Sequence, residues 1–289
     1  MCKNELLLKP KIDVVFHALF REQNHELLES MLSSILNTKV KIVEYLDRHL
    51  NIEQAKEKLG VMDLRVRFED GTYCTIEIQL KEYTNENERF VYYLADAYSR
   101  QLERGEKYED IQKTISIVIV DHEIEELKDF EDLNIKWQFR DNKTGRKILT
   151  DKFELVIIEI PKAKRIYEKD NSNIISQWMM FLDDPNNKEV LNIMEKNKDI
   201  KTAGHELKQV SGNDELRRIA ELKEKYIRDE AAALDFAKQK GINEGINQGI
   251  EQEKIATAKN MLTRNMDINL IADITGLSLE KLTELKNNL

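Results

Sequence analysis

From Val61 to Lys81, VMDLRVRFEDGTYCTIEIQLK, apolar and polar residues alternate in two runs. Met62, Leu64, Val66 and Phe68 interleave with Asp63, Arg65 and Arg67. Beyond Glu69-Asp70-Gly71, residues Cys74, Ile76, Ile78 and Leu80 interleave with Tyr73, Thr75, Glu77, Gln79 and Lys81. A period of two predicts two strands, each with one apolar and one polar face. The turn decides which residues meet. A two-residue Asp-Gly turn would oppose Asp63 to Ile78 and mix the faces. A three-residue loop, with Glu69-Asp70 in a type I turn and Gly71 left-handed, pairs Phe68 with Thr72. Asp63 then faces Glu77, Leu64 faces Ile76, and Val66 faces Cys74. Only this parity keeps both apolar faces on one side.

Elsewhere the pattern is mostly helical. Phe16, Leu19 and Phe20, then Leu27, Leu28, Met31, Leu32, Ile35 and Leu36, recur at helical spacing and predict one or two helices from Asp13 to Asn37. Asp13 suits either a helix N-cap or a site role. Thr84 is an expected N-cap for a helix ending at Gly105, with Phe90, Tyr93, Leu94, Ala97 and Gln101 on one face. The run TISIVIV, Thr114 to Val120, reads as a central strand buried on both faces. Ile135 to Arg140 and Arg146 to Leu149 read as an edge hairpin, and Phe153 to Ile160 as a further buried strand stopping at Pro161. This order predicts an α/β fold, a mixed sheet flanked by helices, over residues 1–165.

A helical extension is expected over 166–240, with Trp178, Met179, Phe181 and Leu182 in a helix ending at Asp183-Asp184-Pro185. The segment 241–289 opens with GINEGINQGIEQE, in which Gly241, Gly245 and Gly249 are spaced by four. Each glycine costs a helix about 1 kcal/mol, so three on one face suggest a close-packed helix seam or dimer contact, with a flexible hinge as the alternative. The tail reads as a helix-turn-helix with Ser278 capping its last helix. That helix carries Glu280 and Glu284 against Lys281 and Lys286 and lacks a basic, amide-rich reading face, so an assembly cap suits it better than base recognition.

Composition narrows the functional classes. The chain has 289 residues and a formal net charge of -9, which argues against non-specific coating of nucleic acid while permitting an enzyme that meets phosphates locally. Cys2 and Cys74 form no disulfide or metal spacing, and the first residues, MCKNELLLKPK, lack the apolar core of a signal peptide. A cytoplasmic protein without a membrane span is expected. His17, His25, His49, His122 and His205 are scattered and offer no zinc spacing.

Candidate chemistry therefore falls on the hairpin. Opposed residues have Cβ atoms about 5 Å apart, so two facing carboxylates repel unless a cation lies between them. Asp63 and Glu77 suggest a divalent-metal site; the plainer reading is the wet face of a surface hairpin. Hard oxygen donors favour Mg²⁺, Mn²⁺ or Ca²⁺ over Zn²⁺. Gln79 and Lys81 continue the same face at steps of about 6.8 Å. Carboxylates, amide and ammonium in that order suit phosphodiester hydrolysis.

The chain resembles the PD-(D/E)XK nuclease superfamily, in particular its recombination-promoting nuclease (Rpn), or PD-(D/E)XK nuclease family transposase, branch. The matching pieces are Lys11-x-Asp13-x-x-Phe16 with Leu19-Phe20, Asp63-Leu64-Arg65-Val66, Ile76-Glu77-Ile78-Gln79, the helix with Tyr92, Tyr93, Tyr98 and Gln101, and Ile115 to Asp121. The resemblance implies a Mg²⁺-dependent DNA endonuclease linked to recombination or mobile elements. Asp63 and Glu77 would ligate the metal, helped by the backbone carbonyl of Ile78, with Asp13 as a further ligand or supporting group. The superfamily's usual lysine two residues after the Glu is Gln79 here, which leaves that role to Lys81 or unfilled. The alternative is a catalytically inactive, nuclease-derived module that binds DNA or protein. Arg140, Lys143, Arg146 and Lys147, with Lys136, Lys162, Lys164 and Arg165, are candidates for DNA backbone contact or simply solvated charge. A homodimer through the C-terminal helices is expected.

Overall fold

The computed structural model describes residues 6–46 and 64–289. They form two compact units, 1–227 and 228–289. Residue 165 lies within helix Ile160–Lys169 and residue 240 within helix Asp214–Thr263, so the divisions expected there fall inside continuous helices.

The first unit is built on a six-stranded mixed sheet, order β1-β2-β3-β4-β6-β5. Its strands are β1 Ile42–Tyr45, β2 Leu64–Phe68, β3 Tyr73–Gln79, β4 Thr114–Val120, β5 Asn134–Gln138 and β6 Phe153–Glu159. β3, β4 and β6 run parallel; β1, β2 and β5 pair antiparallel to their neighbours. The hairpin has the register its alternation requires, Leu64 against Ile76 and Val66 against Cys74. Phe68 N–H donates to the Thr72 carbonyl at 2.9 Å, and Gly71 is left-handed at φ 87°.

Helices cover both faces, which explains why β4 is apolar at nearly every position and buried at all of them. On one face Ile115, Ile117 and Ile119 join Ile76 and Val156 under helices α1 (Asp13–Leu19), α2 (His25–Leu36) and, further along, Ile174–Asp183 with the fully buried Trp178 and Phe181. On the other, Val118 and Val120 join Leu155 and Ile157 under Phe90 and Leu94 of helix α3 (Glu86–Ser99).

Three expectations are corrected. Helix α3 starts after Asn85 rather than at a Thr84 cap, and ends at Ser99 rather than Gly105. Gln101 draws the chain out of the helix: its side chain accepts from Gln112 N–H at 2.9 Å and donates to Thr114 Oγ1 at 2.6 Å, tying the exit to the start of β4. The edge hairpin is half a hairpin. Only Asn134–Gln138 is a strand, paired with β6, and the return arm makes a single bridge, Arg140 to Ile148. Pro161 ends β6 as expected but opens a helix at once, Ile160–Lys169, where its missing N–H costs nothing.

In the second unit, Ala258, Leu262, Ile271, Leu277, Leu282 and Leu285 form a small core. Ser278 caps helix Leu279–Asn287, as the sequence predicts, while Asp267 caps helix Ile268–Thr275 and Gly276 ends it at φ 70°. The 50-residue helix Asp214–Thr263 runs unbroken through Gly241, Gly245 and Gly249, so no hinge breaks it there. A Cβ at any of the three would meet nothing within 4 Å. No helix among the described residues is long and apolar enough to cross a membrane.

Candidate functional site

The parallel strands finish level at Gln79, Val120 and Glu159. Open α/β sheets place their sites at such carboxyl ends. On the β3 face opposite Ile76 and Ile78, Glu77 and Gln79 are only 3% and 1% exposed. The expected wet face is thus a buried polar strip, and burial needs partners. Gln79 Nε2 donates to Glu86 Oε2 at 3.2 Å, and His122 Nε2 lies 2.7 Å from the same oxygen. The amide oxygen of Gln79 is buried with no hydrogen-bond donor among the described residues.

Strand geometry also aims a main-chain oxygen. Asp121 N–H donates to the Gln79 carbonyl at 3.0 Å, and Tyr73 N–H to the Lys113 carbonyl at 2.8 Å. Odd-numbered residues of β3 therefore bond to β4, and the Ile78 carbonyl points the other way, toward β2. Asp63, which precedes β2, lies outside the described residues.

Just beyond the strip, the chain turns into a cavity of about 100 Å³ lined in part by Lys11, Asp13, Gln79, Lys81, Lys223 and Tyr226. The Lys81 ammonium sits over the Tyr226 ring, 4.7 Å from its centroid. Asp13 is the first residue of its helix rather than the cap: Oδ1 accepts from Val14 N–H at 2.7 Å and Oδ2 is paired with Lys223. Lys11 bridges Asp121 at 2.6 Å and Asp183 at 2.7 Å. Burial opposes its charge, yet the two carboxylates hold its pKa above the ordinary lysine value. Cys74 is no nucleophile: burial, and then the charge of Glu154, push its thiol pKa far up.

The basic candidates are scattered. Because β5 runs against β6, Asn134 lies beside Ile158 at the site end and Gln138 beside Glu154 at the far end. Arg140, Lys143, Arg146 and Lys147 follow Gln138, so they leave the sheet at the end opposite Gln79. Lys136 donates to the Leu36 carbonyl at 3.1 Å. Lys162 is not solvated: it is buried in an ion pair with Glu159 at 2.6 Å. Lys164 is exposed, and Arg165 is paired with Glu123.

Sequence reasoning missed Glu86, His122, Lys223 and Tyr226. Glu86 looked like an ordinary acid in a helix's first turn. His122 was passed over because histidines were weighed for zinc spacing; its place two residues past a central strand was the available signal. Lys223 meets Asp13 across 210 positions, and nothing local announces that.

Residues 10–237 match the family model described as PD-(D/E)XK nuclease family transposase. The chain belongs to that family. No curated protein and no solved structure matches it. The mixed sheet with flanking helices is consistent with the PD-(D/E)XK fold, and membership supports a nuclease-like function. PD-(D/E)XK nucleases typically use divalent metals. The donors on β3 fit a hard cation: the Glu77 carboxylate, the Ile78 carbonyl turned toward β2 and the undonated Gln79 amide oxygen. Among the described residues, no group of three or more His, Cys, Asp or Glu side chains converges to hold a metal.

Proposed function

We propose that this nuclease-family chain is a Mg²⁺-dependent DNA endonuclease of the cytoplasm, acting in recombination or on mobile elements. The observation that carries the reading is the buried Glu77–Gln79 strip at the carboxyl end of β3, in a register that would bring Asp63 opposite Glu77 if pairing ran one residue further. Asp63, Glu77 and the Ile78 carbonyl would hold the ion, with Mn²⁺ or Ca²⁺ able to replace it in binding. The ion would supply a water of lowered pKa and neutralise phosphate charge. Gln79 is fixed by Glu86, and its buried amide oxygen has no donor among the described residues. Lys81, which lines the same cavity as Gln79, would meet charge developing on the phosphate. Asp13, held by Lys223, keeps a carboxylate beside that cavity. The Gly241, Gly245 and Gly249 face, with the exposed Ile242, Ile246 and Ile250 beside it, would seat a second copy of the chain.

One observation favours a second reading. The position of the superfamily lysine is a buried glutamine bonded to Glu86, which suits a module that binds DNA without cutting it. Nicking of supercoiled plasmid in Mg²⁺ or Mn²⁺ separates the two. Under the endonuclease reading, Asp63→Ala and Glu77→Ala each lower nicking on the order of 100-fold or more. Equal nicking by wild type and both variants removes the mechanism. No nicking by any of them, with plasmid still retained, selects the binding module.

A further inference from the structure

The edge strand β5 carries an aromatic row that neither core absorbs. Alternation puts Ile135, Trp137 and Phe139 on one face; Ile135 is buried in the core under helix α3, while Trp137 and Phe139 are 43% and 50% exposed. Phe130, 43% exposed, leans on Trp137 with ring centroids 6.2 Å apart. Phe139 rests on Phe153 at 5.1 Å and an interplanar angle of 41°. Large apolar side chains on a sheet edge invite aggregation unless they serve a contact.

The row leads directly into cations. The loop from Arg140 to Lys147 holds four basic residues and one acid, Asp141. That acid is occupied internally, accepting from the N–H groups of Lys143, Thr144 and Lys147. Arg140 is committed too, donating to the Gly145 carbonyl and Gln138 Oε1. No hydrogen bond or ion pair among the described residues ties the side chains of Lys143, Arg146 and Lys147. The result is a hydrogen-bonded loop whose Lys143, Arg146 and Lys147 are exposed, on a chain of net charge -9.

Aromatic rings in line with a basic loop complement a nucleic-acid strand whose bases are unstacked. A duplex keeps its base faces inside the stack and offers this row nothing. We infer that Phe130, Trp137 and Phe139, with Lys143, Arg146 and Lys147, bind single-stranded DNA. The strand would run along β5 from the site end of the sheet to the basic loop. The choice of DNA over RNA rests on the endonuclease reading; the stacking surface does not.

The test uses the full chain in EDTA, so that no hydrolysis occurs, with a short oligothymidylate as probe. Trp178 is fully buried, so Trp137 is the tryptophan whose emission a stacked base quenches. The expected result is saturable quenching that weakens with salt at a slope of about -2, set by three loop cations at roughly 0.7 each. Trp137→Ala, followed with a fluorescent oligothymidylate, weakens binding about tenfold or more while Trp137→Phe largely restores it. Equal urea midpoints for wild type and Trp137→Ala exclude a destabilised edge as the cause. Absence of quenching at low salt, tighter binding of duplex or oligouridylate, or emission that tracks protein concentration instead of probe overturns the proposal. The last of these would mark a contact between copies. Plasmid nicking is scored separately: quenching without nicking removes the endonuclease reading alone, and nicking without quenching removes this surface alone.

Discussion

The two ends of the sheet make opposite use of the same residue types. At the carboxyl ends of β3, β4 and β6 the opening is small, about 100 Å³, and Lys11, Lys162 and Lys223 are each matched to carboxylates. At the other end lies a broader hollow of about 630 Å³, lined in part by Lys39, Lys41, Lys113, Lys136 and Glu154. Size favours the second; chemistry favours the first. Among the described residues, only the first end brings together a buried carboxylate, a constrained amide and a held histidine. A site is recognised by side chains kept in one geometry at a cost in desolvation, and not by volume.

Two ion pairs measure that difference. Lys162 and Glu159, at the site end, have side chains 7% and 2% exposed; Lys113 and Glu154, at the far end, 35% and 7%. Lys162→Met strands a carboxylate in a dry environment, and a loss of about 3 kcal/mol or more is expected. Lys113→Met leaves Glu154 with the Gln138 amide and partial access to water, and about 1 kcal/mol is expected. Urea midpoints at unchanged m-value give both numbers. Equal losses would mean that the two ends are equally wet, and the comparison would lose its basis.

Activity should separate the ends as well, by less. Lys81→Met is expected to slow nicking roughly tenfold, because an ammonium beside the reacting phosphate is lost. Lys136→Met, at the far end, should change it by less than about twofold, since that ammonium is bound to the Leu36 carbonyl. A larger effect at Lys136 than at Lys81 would place the phosphate on the wrong end of the sheet.

How much of this was readable beforehand differs between strand and site. The hairpin register followed from one left-handed glycine and the parity of its flanks, both local quantities. The central strand followed from its largely apolar run, and the Ser278 cap from its side chain alone. Burial of the Glu77 strip was not readable, because alternation marks a polar face without saying whether a helix covers it. Here α3 does. Nor was the far-end location of Arg140 to Lys147, which depends on β5 pairing antiparallel at the edge. Asp13 suits a helix cap or a site role by its sequence, but its partner Lys223 comes from a helix that a local pattern cannot place.

The smallest expected effect tests whether the far-end loop is held as firmly as the site end. Asp141 accepts from the N–H groups of Lys147, Thr144 and Lys143, and the first of these bonds does most to lower its pKa, from 3.8 to about 2. A carboxylate whose pKa is depressed on folding stabilises the folded loop fully above the ordinary value, and that contribution fades as pH falls through the folded one. The loop should therefore stay formed on acidification through pH 4 and loosen only as pH approaches about 2. The amide resonances of Thr144 and Lys147 report it directly, and their midpoint should coincide with that of the Asp141 side-chain carbonyl. Asp141→Ala should abolish the transition and shift both amides at neutral pH. A midpoint near 3.8 would mean that the bonds do not discriminate between carboxylate and acid. Lys143, Arg146 and Lys147 would then sit on a loop without fixed geometry, and their alignment with Trp137 and Phe139 would carry no more weight than their charge.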